Sequence, residues 1–347
     1  MNISITFDFE LFLGRRQGTV ERCLVRPVAE LSRIAARFGV RFVYFVDTCF
    51  LVRLGELAPR HRELGEMRDQ VLGLLEGLIR EGHDLQLHLH PHWRTARYEP
   101  SGWSFDMETY ALPRHESAQI EEIVAENAAL LRSIAGEEAV FAHRAGGWSI
   151  QPFGRVADSL ARHGLWLDSS VIAGAHREHE SQPFDFRGAP AGSRWRFESD
   201  PARPEPEGRF VEVPIAAIRL SPAFYWRMAL ARRLGGPRHA PYGDGVSTRI
   251  ARSEAIRKLS RWTLSPVSID GEKAARLGAA LRRHERARVA DDFVVIGHPK
   301  AMSPFSMQCL ERFIERESRA MTHRFVTFRE LRDRLREDAR IHPPALR

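Results

Sequence analysis

One pattern recurs along this chain and leaves few folds open to it: a short apolar run ends on a polar residue, and an amphipathic stretch closed by glycine follows. The run ISITF (residues 3–7) leads into Asp8, and in RPVAELSRIAARFG the residues Val28, Leu31, Ile34, Ala35 and Phe38 fall at helical spacing before Gly39. VRFVYFVD closes on Asp47; Met67, Val71, Leu74, Leu75 and Leu78 mark a helix around 66–80, and a strand through 84–89 follows Gly82. A helix at 117–135, a strand at 139–143, a helix at 152–163 and a strand at 165–168 continue the series, and RFVEVPI (209–215) and DFVVIGHP (292–299) add two more strands. Strands alternating with helices predict parallel βα units, whose right-handed crossovers gather the strand C-termini on one rim. The expected fold class is therefore α/β, with polar side chains from successive strands collected on a barrel rim. A single domain over 1–340 is expected, with insertions at about 173–208 and 216–270, where the alternation lapses.

Bulk composition narrows the classes. With 347 residues the chain can bury a large core, and 43% hydrophobic with 28% charged residues is a globular balance. No apolar run reaches the roughly 18 residues that a membrane helix needs. The opening MNISITFDFE has neither a basic start nor an apolar signal core, so a cytoplasmic protein is expected. Cys23, Cys49 and Cys309 lie far apart, which argues against a disulfide framework and a cysteine-based zinc site. The formal charge is +7, but the arginines are scattered among 45 acids and no binding motif accompanies them, so no nucleic-acid partner is expected. One denser basic stretch, 227–261, holds eight arginines and a lysine.

The stretch GHDLQLHLHPHW (82–93) gathers histidines at a predicted strand end, near the acids that follow the first strand. On a continuing strand His88, His90 and His92 share a face; if the chain turns after Leu89, as Pro91 favours, His88 and His92 converge at i, i+4 spacing. Imidazoles together with a carboxylate suit zinc, or iron, manganese or cobalt, and three such ligands leave a position for water. A lone histidine is more often structural, but several at one strand end point to a divalent ion, zinc being the first choice.

TFDFE (6–10), HLHPH (88–92), HRAGGW (143–148), LDSSV (167–171) and IGHP (296–299) resemble, in order and spacing, the five motifs of the polysaccharide deacetylase family, the NodB-homology carbohydrate esterases. The resemblance covers about 1–172 and 209–330. It implies a distorted (β/α) barrel with seven or so parallel strands, one divalent metal, and hydrolysis of an N-acetyl group from an amino sugar. Position by position, Asp8 matches the catalytic base, His88 and His92 the metal pair, Arg144 the arginine that orients the base, His298 the general acid, and Asp168 the acid that tunes that histidine. The family's two adjacent acids are here split by Phe9, a form similar to the intracellular and exopolysaccharide branches, and Glu10 is taken as the metal carboxylate. Leu89 stands where a hydroxyl residue is usual. Ala145, Gly146 and Gly147 replace a proline-containing turn, which is expected to widen the rim beside Trp148.

The substrate side is read from aromatic residues. His90, Trp93 and Trp148 are taken as substrate-facing, and Trp93, Tyr98, Trp103, Phe105 and Tyr110 form either a sugar-stacking subsite or a loop packed on its own barrel. The stretch SPAFYWRMALARRLGG (221–236) reads as an amphipathic, arginine-bearing helix, either an ordinary surface helix or a contact with an anionic membrane or a lipid-linked sugar. Partners expected are thus a carbohydrate or lipid-linked sugar, with peripheral membrane contact open. Rival readings are a metallohydrolase cleaving another non-peptide C–N bond, as in allantoinase-like relatives, and a non-catalytic carbohydrate-binding protein. An H-x-H amidohydrolase or phosphoesterase would carry its histidines after the first strand, where this chain has Asp8 and Glu10.

Overall fold

The computed structural model describes residues 1–14, 16–100, 102–192, 194–247, 251–287 and 291–337. In chain order the first elements are β1 (Asn2–Phe9), α1 (Arg26–Phe38), β2 (Val43–Asp47), α2 (Thr48–Leu57), α3 (Arg62–Arg80), β3 (Asp84–Leu89), β4 (Arg97–Glu99) and β5 (Gly102–Ser104). Next come α4 (Ser117–Ala135), β6 (Ala142–Ala145), α5 (Ala157–Arg162), β7 (Leu167–Asp168), β8 (His176–Arg177), β9 (Phe184–Asp185), β10 (Trp195–Phe197) and β11 (Phe210–Glu212). The chain continues through β12 (Ala217–Leu220), α6 (Pro222–Leu234), α7 (Arg252–Ser260), β13 (Thr263–Pro266), α8 (Leu277–Arg286), β14 (Asp292–Gly297), α9 (Pro304–Ala320), β15 (Arg324–Phe325) and α10 (Phe328–Glu337). It forms two compact units, Met1–Val40 with Ile215–Phe325, and Arg41–Pro214 with the segment from Val326.

In the first unit β1 and β14 pair in parallel, from Asn2↔Asp292 to Phe7↔Gly297. Apart from Asn2, every β1 side chain is buried, which is why the run reads as continuously apolar rather than alternating. Pro27 opens α1 and the stripe Val28, Leu31, Ile34 and Ala35 is buried, while Gly39 at φ 65° stops the helix in the left-handed conformation. Ile215 and Ser268 make parallel bridges to Val294 and Ile296. The expected insertion at 216–270 is in fact an antiparallel hairpin, β12 with β13, carrying α6 and α7 on a small core of Leu220, Phe224 and Tyr225. Its last residues are not inserted: Ser268 returns the chain to β14, and this decides where Asp270 goes.

The second unit holds strands in the order β10-β11-β7-β6-β3-β2, parallel except for β10 on β11. The register sets Asp47, His88 and Arg144 in one row across β2, β3 and β6, and His143, Asp168 and Glu212 in another across β6, β7 and β11. Both rows lie toward the strand C-termini, as the βα pattern requires. Helix α2 was not foreseen; it starts at once because the Asp47 side chain accepts from Phe50 N. Among the described residues no helix is long and apolar enough to cross a membrane.

Candidate active site

The first unit holds three carboxylates, an imidazole and an ammonium close together. Since Phe7 pairs with Gly297, Asp8 and His298 leave adjacent strands one residue further on, and His298 Nε2 lies 3.7 Å from both Asp8 Oδ2 and Glu10 Oε1. The other ring nitrogen, Nδ1, is 2.8 Å from Asp270 Oδ2, and Asp270 Oδ1 accepts the His298 backbone N–H, also at 2.8 Å. The bridge Ser268↔Ile296 sets this contact, since two residues on along each strand Asp270 faces His298. Burial acts against a charged imidazole, but the carboxylates of Asp270, Asp8 and Glu10 outweigh it and raise His298 to about 8. Its Nδ1–H is therefore committed to Asp270 and its Nε2–H faces Asp8 and Glu10. The expectation that Asp168 tunes this histidine is corrected here, because the carboxylate bonded to His298 is Asp270.

Lys300 was also missed. It is buried, its Nζ donates to Glu10 Oε1 at 2.8 Å and to the Leu11 carbonyl, and it sits over the Phe12 ring. The ammonium holds one oxygen of Glu10 and offsets the cost of burying that charge. Neither residue carried a motif signal. A hint of Asp270 was present in VSID (267–270), a short β-rich run ending on an acid like VRFVYFVD.

In the second unit the strand ends at Leu89 and a 3-10 turn, Pro91–Thr95, takes over, so the chain does turn where Pro91 suggests. The imidazoles seen to meet are His88 and His90, with Nε2 atoms 2.9 Å apart, since both keep the alternation of the strand. His88 Nδ1 lies 2.7 Å from the Arg144 carbonyl; a carbonyl only accepts, so the proton sits on Nδ1 and Nε2, which faces His90 Nε2, carries the lone pair that ligation uses. That is the usual state of a metal-binding histidine, so the donors fit a divalent ion. The turn carries His92 into an aromatic surround: its ring stacks on Tyr110 at 5.2 Å and meets Phe105 edge-on at 5.0 Å. All three imidazoles are buried.

Gly146 explains how His90 fits. A Cβ at that position would lie 2.6 Å from the Leu89 carbonyl oxygen and 2.9 Å from the His90 ring. At Gly147 (φ 56°), a Cβ would meet Tyr110 Oη at 2.8 Å. The two glycines thus admit His90 and Tyr110, whereas the sequence reading expected them to widen the rim. Trp148 is half-buried, its ring faced by the Arg177 guanidinium at 5.4 Å and edge-on to Phe184. A cleft of about 480 Å³ opens beside that cover, lined by His176, Arg177, Phe184 and Gln151 among others. Trp93 does not face a substrate: it is 1% exposed, and its indole donates to Asp47 Oδ2 at 2.7 Å. Trp103 and Phe105 pack edge-on against it, so this loop packs on its own barrel.

Arg144 is fully buried, donates through Nε to the Ser169 carbonyl and through Nη2 to Ser169 Oγ, and lies 4.0 Å over the Phe45 ring. Asp168 accepts from the Ser170 backbone N–H and hydroxyl, which makes it a strand-end cap, and lies 3.3 Å from His143 Nδ1. Neighbouring Glu212 is pushed well above the carboxylate range, first by burial and then by the charge of Asp168; one of its oxygens accepts from Val171 N.

A solved structure of a probable polysaccharide deacetylase from Pseudomonas aeruginosa PAO1 aligns with 98% of the chain and 92% of its own length, at a TM-score of 0.52 and 13% identity. The chain has the polysaccharide deacetylase fold. It is of the α/β class, a distorted (β/α) barrel of mainly parallel strands with flanking helices. A polysaccharide deacetylase structure from Mycobacterium smegmatis covers 100% of the chain and 93% of its own length, at 16% identity and a TM-score of 0.48. The Puue allantoinase covers 99% and 92%, at 12% and 0.47. No family model and no curated protein sequence matches the chain. At such identities a deacetylase fold states an architecture, and the chemistry rests on the side chains.

Proposed function

We propose that the chain is a metal-dependent hydrolase that removes an N-acetyl group from an amino sugar in a glycan or lipid-linked glycan. The observation that carries this reading is the Asp270–His298 pair, whose second imidazole nitrogen is turned to Asp8 and Glu10. Glu10, His88 and His90 are the donors we assign to the metal by their chemistry, a carboxylate with two adjoining imidazoles, and His92 is assigned to the packing behind His90. When bound, a divalent ion of this kind, zinc by donor chemistry, polarises an acetyl carbonyl and lowers the pKa of water toward neutrality.

The protein groups then divide the proton work. Asp8 takes a proton from the water that attacks the acetyl carbon. The C–N bond breaks only as the nitrogen gains a proton, because an amide anion is a poor leaving group. His298 supplies that proton from Nε2; held at about 8, it is mostly charged at neutral pH. Asp270 fixes the tautomer and stabilises the imidazolium, and Lys300 holds Glu10 in place. Arg144 is assigned to keep Asp8 ionised, as a guanidinium favours the charged form of a carboxylate. Trp148, beside the Arg177 cleft, is assigned to the sugar. The deacetylase fold supports the reading at the level of architecture.

The test is acetate release from N-acetylated glycans by the zinc- or cobalt-loaded protein. Wild type is expected to release it, and Asp8→Asn is expected to bind metal without turnover. If Asp8→Asn keeps full activity, the assignment of the base is wrong. If the wild type instead releases ammonia from ureides and no acetate, the alternative C–N hydrolase is the better reading.

A further inference from the structure

We infer that the α6–α7 hairpin insertion is a docking surface for an anionic lipid bilayer. The insertion is built on β12 and β13 and has its own core of Leu220, Phe224 and Tyr225, against which Ile218, Met228 and Leu259 pack. That core uses only part of the apolar content. Trp226, Leu230 and Leu234 recur every four residues along α6 and are 60%, 57% and 71% exposed, so they form one uncovered stripe. Ile256 on α7, Trp262 and Leu264 are also exposed. Single exposed apolar residues are ordinary, but these together on one small insertion mark a surface made to be covered.

Charge selects the occupant. Residues 216–264 carry nine arginines and Lys258 against two acids, Asp244 and Glu254, whereas the whole chain is nearly balanced at 52 basic and 45 acidic residues. Arg227 and Arg233 flank the α6 stripe and are exposed, and exposed Arg219 lies across from Leu264 in the hairpin. A second copy of the chain would set these arginines against themselves across a two-fold contact. Exposed tryptophans beside leucines and arginines instead match the interface of a bilayer with anionic headgroups, the apolar side chains entering it and the guanidinium groups meeting phosphate. The Trp226 indole is already oriented, since its Nε1 donates to the Leu259 carbonyl at 3.1 Å. The inference stands on this surface alone and not on the hydrolase reading.

The test is flotation of the 347-residue chain with phosphatidylcholine vesicles, with and without one third phosphatidylglycerol, at about 100 mM NaCl, where exposed charges still act over about 10 Å. The protein is expected to float with the anionic vesicles only. Arg227→Gln/Arg233→Gln should weaken binding about 30-fold, near fivefold per arginine. Leu230→Ser/Leu234→Ser/Ile256→Ser should abolish binding while leaving the thermal melt unchanged, since all three are exposed. The inference is overturned if wild type does not float with anionic vesicles, if both variants float as well as wild type, or if wild type is a dimer that the serine variant splits. Binding to single-stranded RNA with no binding to vesicles would likewise overturn it.

Discussion

Replacing Asp270 by Asn removes the charge that holds His298 and leaves the shape of the pair. His298 stands at about 8 against an ordinary 6.5, so its protonated form is favoured by about 2 kcal/mol in the folded protein. The sign follows from the raised value: this stabilisation is fully present below pH 6.5 and is lost as the pH rises through 8. An asparagine oxygen still accepts the Nδ1–H, but burial then acts with less opposition. His298 is expected to titrate at or below about 6.5 in Asp270→Asn, which lowers its charged fraction at pH 7.5 from about three quarters to about one tenth. The direct assay is NMR titration of the imidazole Cε1–Hε1 signals in the metal-free protein, with His298 assigned by its loss in His298→Gln. If the proposed chemistry holds, turnover at pH 7.5 falls about eightfold from protonation alone, and the high-pH limb of the rate profile moves down with the NMR value. Should His298 still titrate near 8 in Asp270→Asn, then Asp8 and Glu10 set its charge and the dyad is not the tuning device.

Four other outcomes follow from the geometry. His90→Ala is expected to lose the metal measured by elemental analysis of tag-free protein, and His92→Ala to retain it with a lowered melting temperature; the reverse result would return the second imidazole to His92. Gly146→Ala forces a Cβ into the Leu89 carbonyl and the His90 ring, and should cost about 1–3 kcal/mol in urea unfolding as well as weakening metal binding. Lys300→Met leaves Glu10 buried beside no ammonium and is expected to destabilise the metal-free protein by about 3–5 kcal/mol. His83 is held at about 4, chiefly by burial, and its Nδ1 accepts the Phe42 backbone N–H. Its folded value lies below 6.5, so its contribution is present above pH 6.5 and lost as the pH falls toward 4. That amounts to about 2 kcal/mol between pH 7 and 5, and His83→Gln should remove this part of the acid sensitivity in urea midpoints.

The strand runs, the stripes of α1 and α3, the glycine stops and the placing of Asp8, His88, Arg144 and His298 at strand ends were all legible in the sequence. Each depends on a period of two or 3.6 residues, or on a turn residue, and these are local properties of the chain. Helix α4 was located at its two ends for that reason, while α5 came out shorter than 152–163 because Pro152 and a 3-10 turn delay its start. The partners of those residues were not legible. Asp270 reaches His298 through a bridge between residues 28 apart, Lys300 reaches Glu10 across 290 residues, and Trp93 is buried because Asp47 on the neighbouring strand accepts its indole N–H. The sequence by itself determined which side chains stand at the strand ends. Only the tertiary structure decided which pairs meet, because register and crossover link residues whose separation leaves no period to read.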